Sequence, residues 1–135
     1  MSTSRERVAL AIRHCITDRI PKGELCIDDA VILRDLQCER VSFPERYEFV
    51  KRLGLDLVCL APEYQHENGL PESDTCIPPD LDRWTMETQL FSFALLDGVF
   101  GWGMRTLGYE EFFKLPMRSP QVFTSLLKEV EKLNI

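Results

Sequence analysis

The chain lacks any apolar run of the roughly 18–20 residues that a helix needs to cross a bilayer, so no membrane partner is expected. It has no C-x-x-C pair. Its five cysteines stand at 15, 26, 38, 59 and 76, and neither His14 nor His66 falls at zinc-finger spacing from a cysteine pair. A zinc site made by this chain alone is therefore not expected. The odd count suits reduced thiols, some buried as small apolar residues, better than a disulfide framework. Basic residues are too few to bind a phosphate backbone: 16 Lys and Arg face 22 Asp and Glu, a formal charge of -6. Such a surface repels polyanions, and the basic residues form no stripe or arm, so nucleic acid is excluded as a partner. The opening MSTSRERVALAIRH is charged and amphipathic, with no signal-peptide apolar block, which makes a cytoplasmic location the expectation. No internal repeat or low-complexity segment is found.

What is there is ordinary for a globular chain: 135 residues, 44% hydrophobic and 28% charged, enough for one domain with a real core. Thr3 and Glu6 form a T-x-x-E capping box that opens a helix. Val8, Ile12 and Cys15 share a face of it, and Asp18 and Pro21 are expected to end it. Residues 20–27 read as a short strand, with Pro21 tolerable only near its start. A helix over 28–36 follows, with Asp28 and Asp29 at its positive end.

Pro44 begins another helix, with Tyr47, Val50 and Leu53 on one face and Gly54 as its C-cap. Residues 55–60 are a mostly apolar run of strand length, suited to a strand buried on both sides. Residues 61–79 carry Pro62, Gly69, Pro71, Pro78 and Pro79 and read as a long loop. Residues 90–96 are expected to form the third core strand. After it come the glycine-rich Asp97–Gly103 passage, a helical stripe of Phe100, Met104 and Leu107, and a stop at Gly108. A short helix covers 110–115. The last helix has Ser119 as N-cap and Pro120 at its first position, with Val122, Phe123, Leu126, Leu127, Val130 and Leu133 as its apolar face. Helix, glycine, buried strand is the repeating unit of an α/β protein.

Three stretches carry a resemblance. SRERVALAIRH with TDRIPKGELCIDD is similar to the opening helix, D-R-x-P turn and first barrel strand of the uroporphyrinogen decarboxylase superfamily. ERYEFVKRLGLDLVCLAPE is similar to that family's next helix, lGxD turn and second strand. FALLDGVFGWGMRTLGYEEFFKLPMRSPQVFTSLLKEV resembles the strand, DGPF, helix and following helices of its methyltransferase-like branch. The resemblance spans the whole chain but only about two-fifths of a (β/α)₈ barrel of ~250–350 residues. It implies a partial TIM barrel over 1–135: about three parallel strands with helices outside, forming a single N-terminal domain.

The resemblance also implies where a site would lie. In true decarboxylases, arginines after the first strand hold the substrate's carboxylates and an aspartate after the second sits by the pyrroles. Here Cys26 and Ala30 stand at the arginine positions and Glu63 at the aspartate position. Neither Cys nor Ala replaces the planar fork of arginine. With Glu24, Asp28 and Asp29 nearby, the pocket should reject a polycarboxylate and favour a neutral, cationic or metal-bound ligand. The candidate binding residues are Glu24, Cys26, Glu63, Asp97 and Trp102, and no catalytic residue is assigned.

Each candidate has a plainer role: solvated or capping for the carboxylates, packing for Cys26 and Cys59, core for Trp102. The GVFGWG segment could hold an anion on free N–H groups, but close backbone packing is the simpler account. His14 at a helix end suits a dipole contact.

In the family's methyltransferase branch, zinc is held by residues of later strands and a corrinoid protein is the partner. Those cofactors belong to a complete member, with none expected in this chain alone. Two functions compete: a fragment or subunit of such an enzyme, inactive alone, and a non-catalytic small-molecule or protein-binding regulatory module. The open strand edge implied by a partial barrel calls for a homodimer or a complementary half-barrel chain.

Overall fold

The computed structural model describes residues 2–62, 70 and 77–134. The capping box forms: Thr3 Oγ1 accepts from the Glu6 N–H, the Glu6 carboxylate accepts from the Thr3 N–H, and α1 (Ser4–Ile12) begins. It ends at Ile12, short of Asp18. His14 takes the left-handed conformation (φ 58°), the His14 N–H donates to the Ala11 carbonyl, and the Cys15 N–H donates to the Leu10 carbonyl. This pair of bonds is a Schellman stop, with histidine at the position that glycine usually fills.

The first strand is also shorter than expected. β1 is Gly23–Glu24 alone. Pro21 offers no N–H to a ladder, so the pairing starts after it, where the Lys22 carbonyl accepts from the N–H groups of Asp56 and Leu57. On the other side, Asp28 already caps α2 (Asp29–Leu36), its Oδ1 accepting from the Ala30 N–H at 2.7 Å. α3 (Phe43–Leu53) opens one residue before Pro44, on a capping box between Ser42 and Glu45 whose S-x-x-E pattern stands in the sequence. It closes on Gly54 (φ 65°) with the same stop: Gly54 N–H to Lys51 carbonyl, Leu55 N–H to Val50 carbonyl. β2 (Leu57–Leu60), α4 (Leu81–Met86) and β3 (Phe91–Ala94) follow.

The strands form a parallel sheet in the order β1-β2-β3, so the protein is α/β with a parallel three-stranded sheet. Gly23 pairs with Leu57, and Leu57 with Phe91. Because side chains alternate along a strand, Val58 and Leu60 turn to one face, where they join Phe43, Val50, Trp84 and Leu90 in the core. Leu57, Cys59, Phe91 and Phe93 take the other face and are half-buried.

The short α4 was not foreseen. Arg5 of α1 holds its end: Nη2 donates to the carbonyls of Thr85 and Thr88, supplying donors that the last turn of a helix lacks.

The chain divides into two compact units, Met1–Leu60 with Asp80–Ala94, and Ala61–Pro79 with Leu95–Ile135. The first holds the sheet and α1–α4. The second holds α5 (Val99–Leu107), α6 (Tyr109–Arg118) and α7 (Pro120–Leu133). Gly108, at φ 77°, makes the turn between α5 and α6 that a side chain would strain. α6 runs on through Pro116 to Arg118, beyond the 110–115 expected. Ser119 precedes α7 as foreseen, but its side chain makes no capping bond. Of the expected α7 face, Val130 is buried while Val122 remains 57% exposed.

Gly103 marks the closest packing in this unit. A Cβ there would meet the Phe112 ring carbons at 2.1 Å. Phe112 cannot easily yield: it is buried and ringed by Phe100, Phe113 and Phe123. Gly103→Ala should therefore destabilise the protein, by up to about 2 kcal/mol. An overpacking cost of about 1–3 kcal/mol is partly offset by about 1 kcal/mol of better helix propensity. Urea unfolding followed by the fluorescence of Trp84 and Trp102 checks this, and a more stable variant would refute the packing argument.

Candidate functional site

In α/β proteins with parallel strands, ligands gather beyond the strand C-termini. At that end of this sheet lie Glu24, which closes β1, and Cys26 two residues on. Both line a cavity of about 40 Å³, together with Cys59, Arg46, Val50 and Ile27. A water molecule needs roughly 10–15 Å³ of such space, whereas ligand pockets run to ~300–1,000 Å³. The cavity thus has room for water but not for a tetrapyrrole.

The carboxylates expected around it are not equivalent. Asp28 is spent on the α2 cap and Asp29 pairs with Arg46, whose Nη1 also donates to the Ile27 carbonyl. Glu24 remains exposed. Burial pushes the Cys59 thiol above its ordinary pKa, and neighbouring Cys26 adds to the shift, so Cys59 stays protonated. A thiol raised in this way is a poor nucleophile. Among the described residues no group of three or more His, Cys, Asp or Glu could hold a metal ion.

Asp97 and Trp102 belong to the second unit. Asp97 precedes α5, pairs with Arg105 at 2.6 Å, and its backbone carbonyl accepts from Asn134 Nδ2. A Cβ on Gly101 would lie 2.5 Å from Asp97 Oδ1, so this carboxylate rests against the first turn of α5. It brings its own negative charge to the helix end where an anion would otherwise bind. The glycines at 101 and 103 both admit close neighbours, Asp97 and Phe112. Trp102 is 1% exposed. Glu63 lies outside the described residues. Of the five candidates, Glu24 and Cys26 are brought together at one cavity, and Asp97 and Trp102 sit within one stretch of chain at α5.

The most elaborate polar cluster lies at the opposite end, where the strands begin. Asp56, immediately before β2, is fully buried. Its Oδ1 accepts from Ser4 Oγ, Arg7 Nη1 and Arg19 Nη2; its Oδ2 accepts from Arg19 Nη1 and the Lys22 N–H. Arg7 in turn grips Asp18 with Nε and Nη2, at 2.6 and 2.9 Å. Burial by itself would raise the Asp56 pKa. The bonds from Lys22, Arg19, Ser4 and Arg7 outweigh it and hold the carboxyl below its ordinary range. The paired bonds from Arg7 hold Asp18 far lower still, and the same bonds hold Arg7 above its usual range.

The D-R-x-P and lGxD segments thus meet around one carboxylate, in a structural role. The sequence did carry a signal for it. Asp56 interrupts the apolar run 55–60, and a charge inside a buried strand demands partners.

Compared with known proteins, the chain matches no family model, no curated protein and no solved structure.

Proposed function

We propose that this chain supplies the opening strand–helix units of a (β/α)₈ barrel of the uroporphyrinogen decarboxylase-like kind, methyltransferase-like branch. In this reading it is inactive alone and contributes one wall of a small-ligand pocket. The observation that carries the reading is the order of the sheet: three parallel strands, sequential neighbours, with helical segments between them. The meeting of the two motif segments at Asp56 adds support.

The ligand class follows from the wall. Glu24 is exposed there, Cys26 offers no guanidinium and Arg46 is already paired with Asp29, so a neutral, cationic or metal-bound ligand fits better than a polycarboxylate. The donor set does not fit a resident zinc ion: Cys26 and Cys59 share a cavity, but no third ligand joins them among the described residues. Zinc and a corrinoid partner would enter only with further strands.

A completing partner, either a second copy or a complementary half-barrel chain, follows from the uncovered surface. Among the described residues no strand pairs with the free edge of β3, and Leu57, Phe91 and Phe93 are only half-buried. An open edge templates pairing, and each large apolar side chain gains roughly 1.5–3 kcal/mol when fully covered. Sedimentation equilibrium at micromolar concentration is expected to show a species heavier than 15.7 kDa, or a monomer that binds an apolar dye. A clean 15.7 kDa species without dye binding would mean that the chain covers its own edge, and would overturn the need for a partner.

A further inference from the structure

A second cavity, of about 270 Å³, opens at the strand N-termini, the end away from Glu24 and Cys26. It is lined by Ser4, Arg19, Tyr47, Lys51, Gly54 and Gln89, along with Leu55 and Leu90. Among the described residues no carboxylate lines it, although acidic residues outnumber basic ones 22 to 16 along the chain. The nearby Asp56 is buried and already engaged by two arginines.

The lining is rich in donors that the fold leaves uncommitted. Lys51 lies over the Tyr47 ring at 5.4 Å and has no ion-pair partner among the described residues. Arg19 spends Nη1 and Nη2 on Asp56 and the Ile20 carbonyl, which leaves part of its five-donor fork available, and its side chain is 44% exposed. The Gln89 side chain and the Tyr47 hydroxyl have no hydrogen-bond partner among the described residues. Two helix ends meet the cavity, the start of α1 at Ser4 and the end of α3 at Gly54. Their dipoles have opposite sign and largely cancel, so the side chains set the potential.

We propose that this cavity binds a phosphate group, free or carried on a small molecule. A guanidinium fork beside a lysine ammonium, with neutral donors around them, is the chemistry that takes a dianionic oxyanion. The volume admits a phosphate and a small carrier but falls short of a dinucleotide. Because the cavity lies at the other end of the sheet, the proposal does not depend on the barrel reading above.

The test is a titration of the full ¹⁵N-labelled chain with inorganic phosphate at constant ionic strength, with acetate as the second arm. Saturable amide shifts are expected at Ser4, Arg19, Lys51 and Gln89, with acetate much weaker. Lys51→Glu should weaken phosphate binding at least tenfold, while Lys128→Glu, an exposed site in the other unit, leaves it unchanged. Should Lys51→Glu fail to fold by circular dichroism, Gln89→Leu serves instead and should weaken binding severalfold. Shifts that do not saturate, an equal response to acetate, or unaltered binding in the folded variants would overturn the proposal.

Discussion

Asp56→Asn is expected to destabilise the protein by about 3 kcal/mol, the lower end of the ~3–5 kcal/mol seen when one member of a buried ion pair is removed. Asparagine keeps one acceptor oxygen where the carboxylate had two. If its Nδ2 replaces Oδ2, then Arg19 Nη1 and the Lys22 N–H both face a donor. If it replaces Oδ1, three donors do. The loss stays at the lower end because the stranded arginines have other recourse: Arg7 retains Asp18, and the half-exposed Arg19 can turn to water. For a chain of this size the change corresponds to a melting temperature lower by roughly 10 °C. A loss under 1 kcal/mol would mean that the network contributes little.

The same substitution should alter the response to acid. Asp56 and Asp18 are held below their ordinary value of 3.8 in the folded state. A carboxyl with a depressed folded pKa contributes its stabilisation fully above its unfolded pKa and loses it as pH falls through the folded one. The gap between parent and Asp56→Asn should accordingly be constant from pH 7 to about 5 and narrow progressively below about 4. Denaturation at stepped pH would reveal this, and a gap that widened toward acid would contradict the direction of the Asp56 shift.

The helices were legible where short-range chemistry decides them. Thr3 with Glu6, Asp28, and Gly54 each fix an end through one or two local bonds. Legibility failed where distant backbone groups decide. β1 is paired through the Lys22 carbonyl, which bonds to residues 34 and 35 positions away, so the point where its ladder starts is reported by no local pattern. α1 stops at Ile12 because His14 takes the left-handed conformation there, with nothing in the apolar spacing to require it. Parallel order could be anticipated from the alternation of helices with apolar runs. The sheet's half-buried face, shared by residues of β2 and β3, emerges only from the register. The candidate site residues stand out in the sequence by their place after each strand. The structure then spends Asp28 and Asp29 on a cap and an ion pair, roles that depend on where the Ala30 N–H and Arg46 lie. α4 is the plainest omission. Six residues make under two helical turns, too few for a periodic pattern and too few to hold a helix in isolation.

Because α4 cannot stand alone, its anchor should be among the most costly residues to truncate: Trp84→Ala is expected to lose about 3–5 kcal/mol. Trp84 is 2% exposed. It packs edge-on against Phe43, with centroids 4.7 Å apart, and against Tyr47 at 6.1 Å, in the core shared with Val58, Leu60 and Leu90. Removing the indole forfeits its burial and opens a cavity under the sheet that α3 and the strands, pinned by their own bonds, can only partly fill. The polar relay behind it would loosen as well. Thr88 Oγ1 donates to the Trp84 carbonyl and accepts from the Leu90 N–H, tying the end of α4 to the start of β3. Trp84→Phe keeps a ring between Phe43 and Tyr47 and should lose less than half as much. Urea unfolding by far-ultraviolet circular dichroism measures both, since the first unit would no longer carry its tryptophan. An alanine variant within 1 kcal/mol of the parent, at unchanged denaturant dependence, would show that α4 is not held by this side chain.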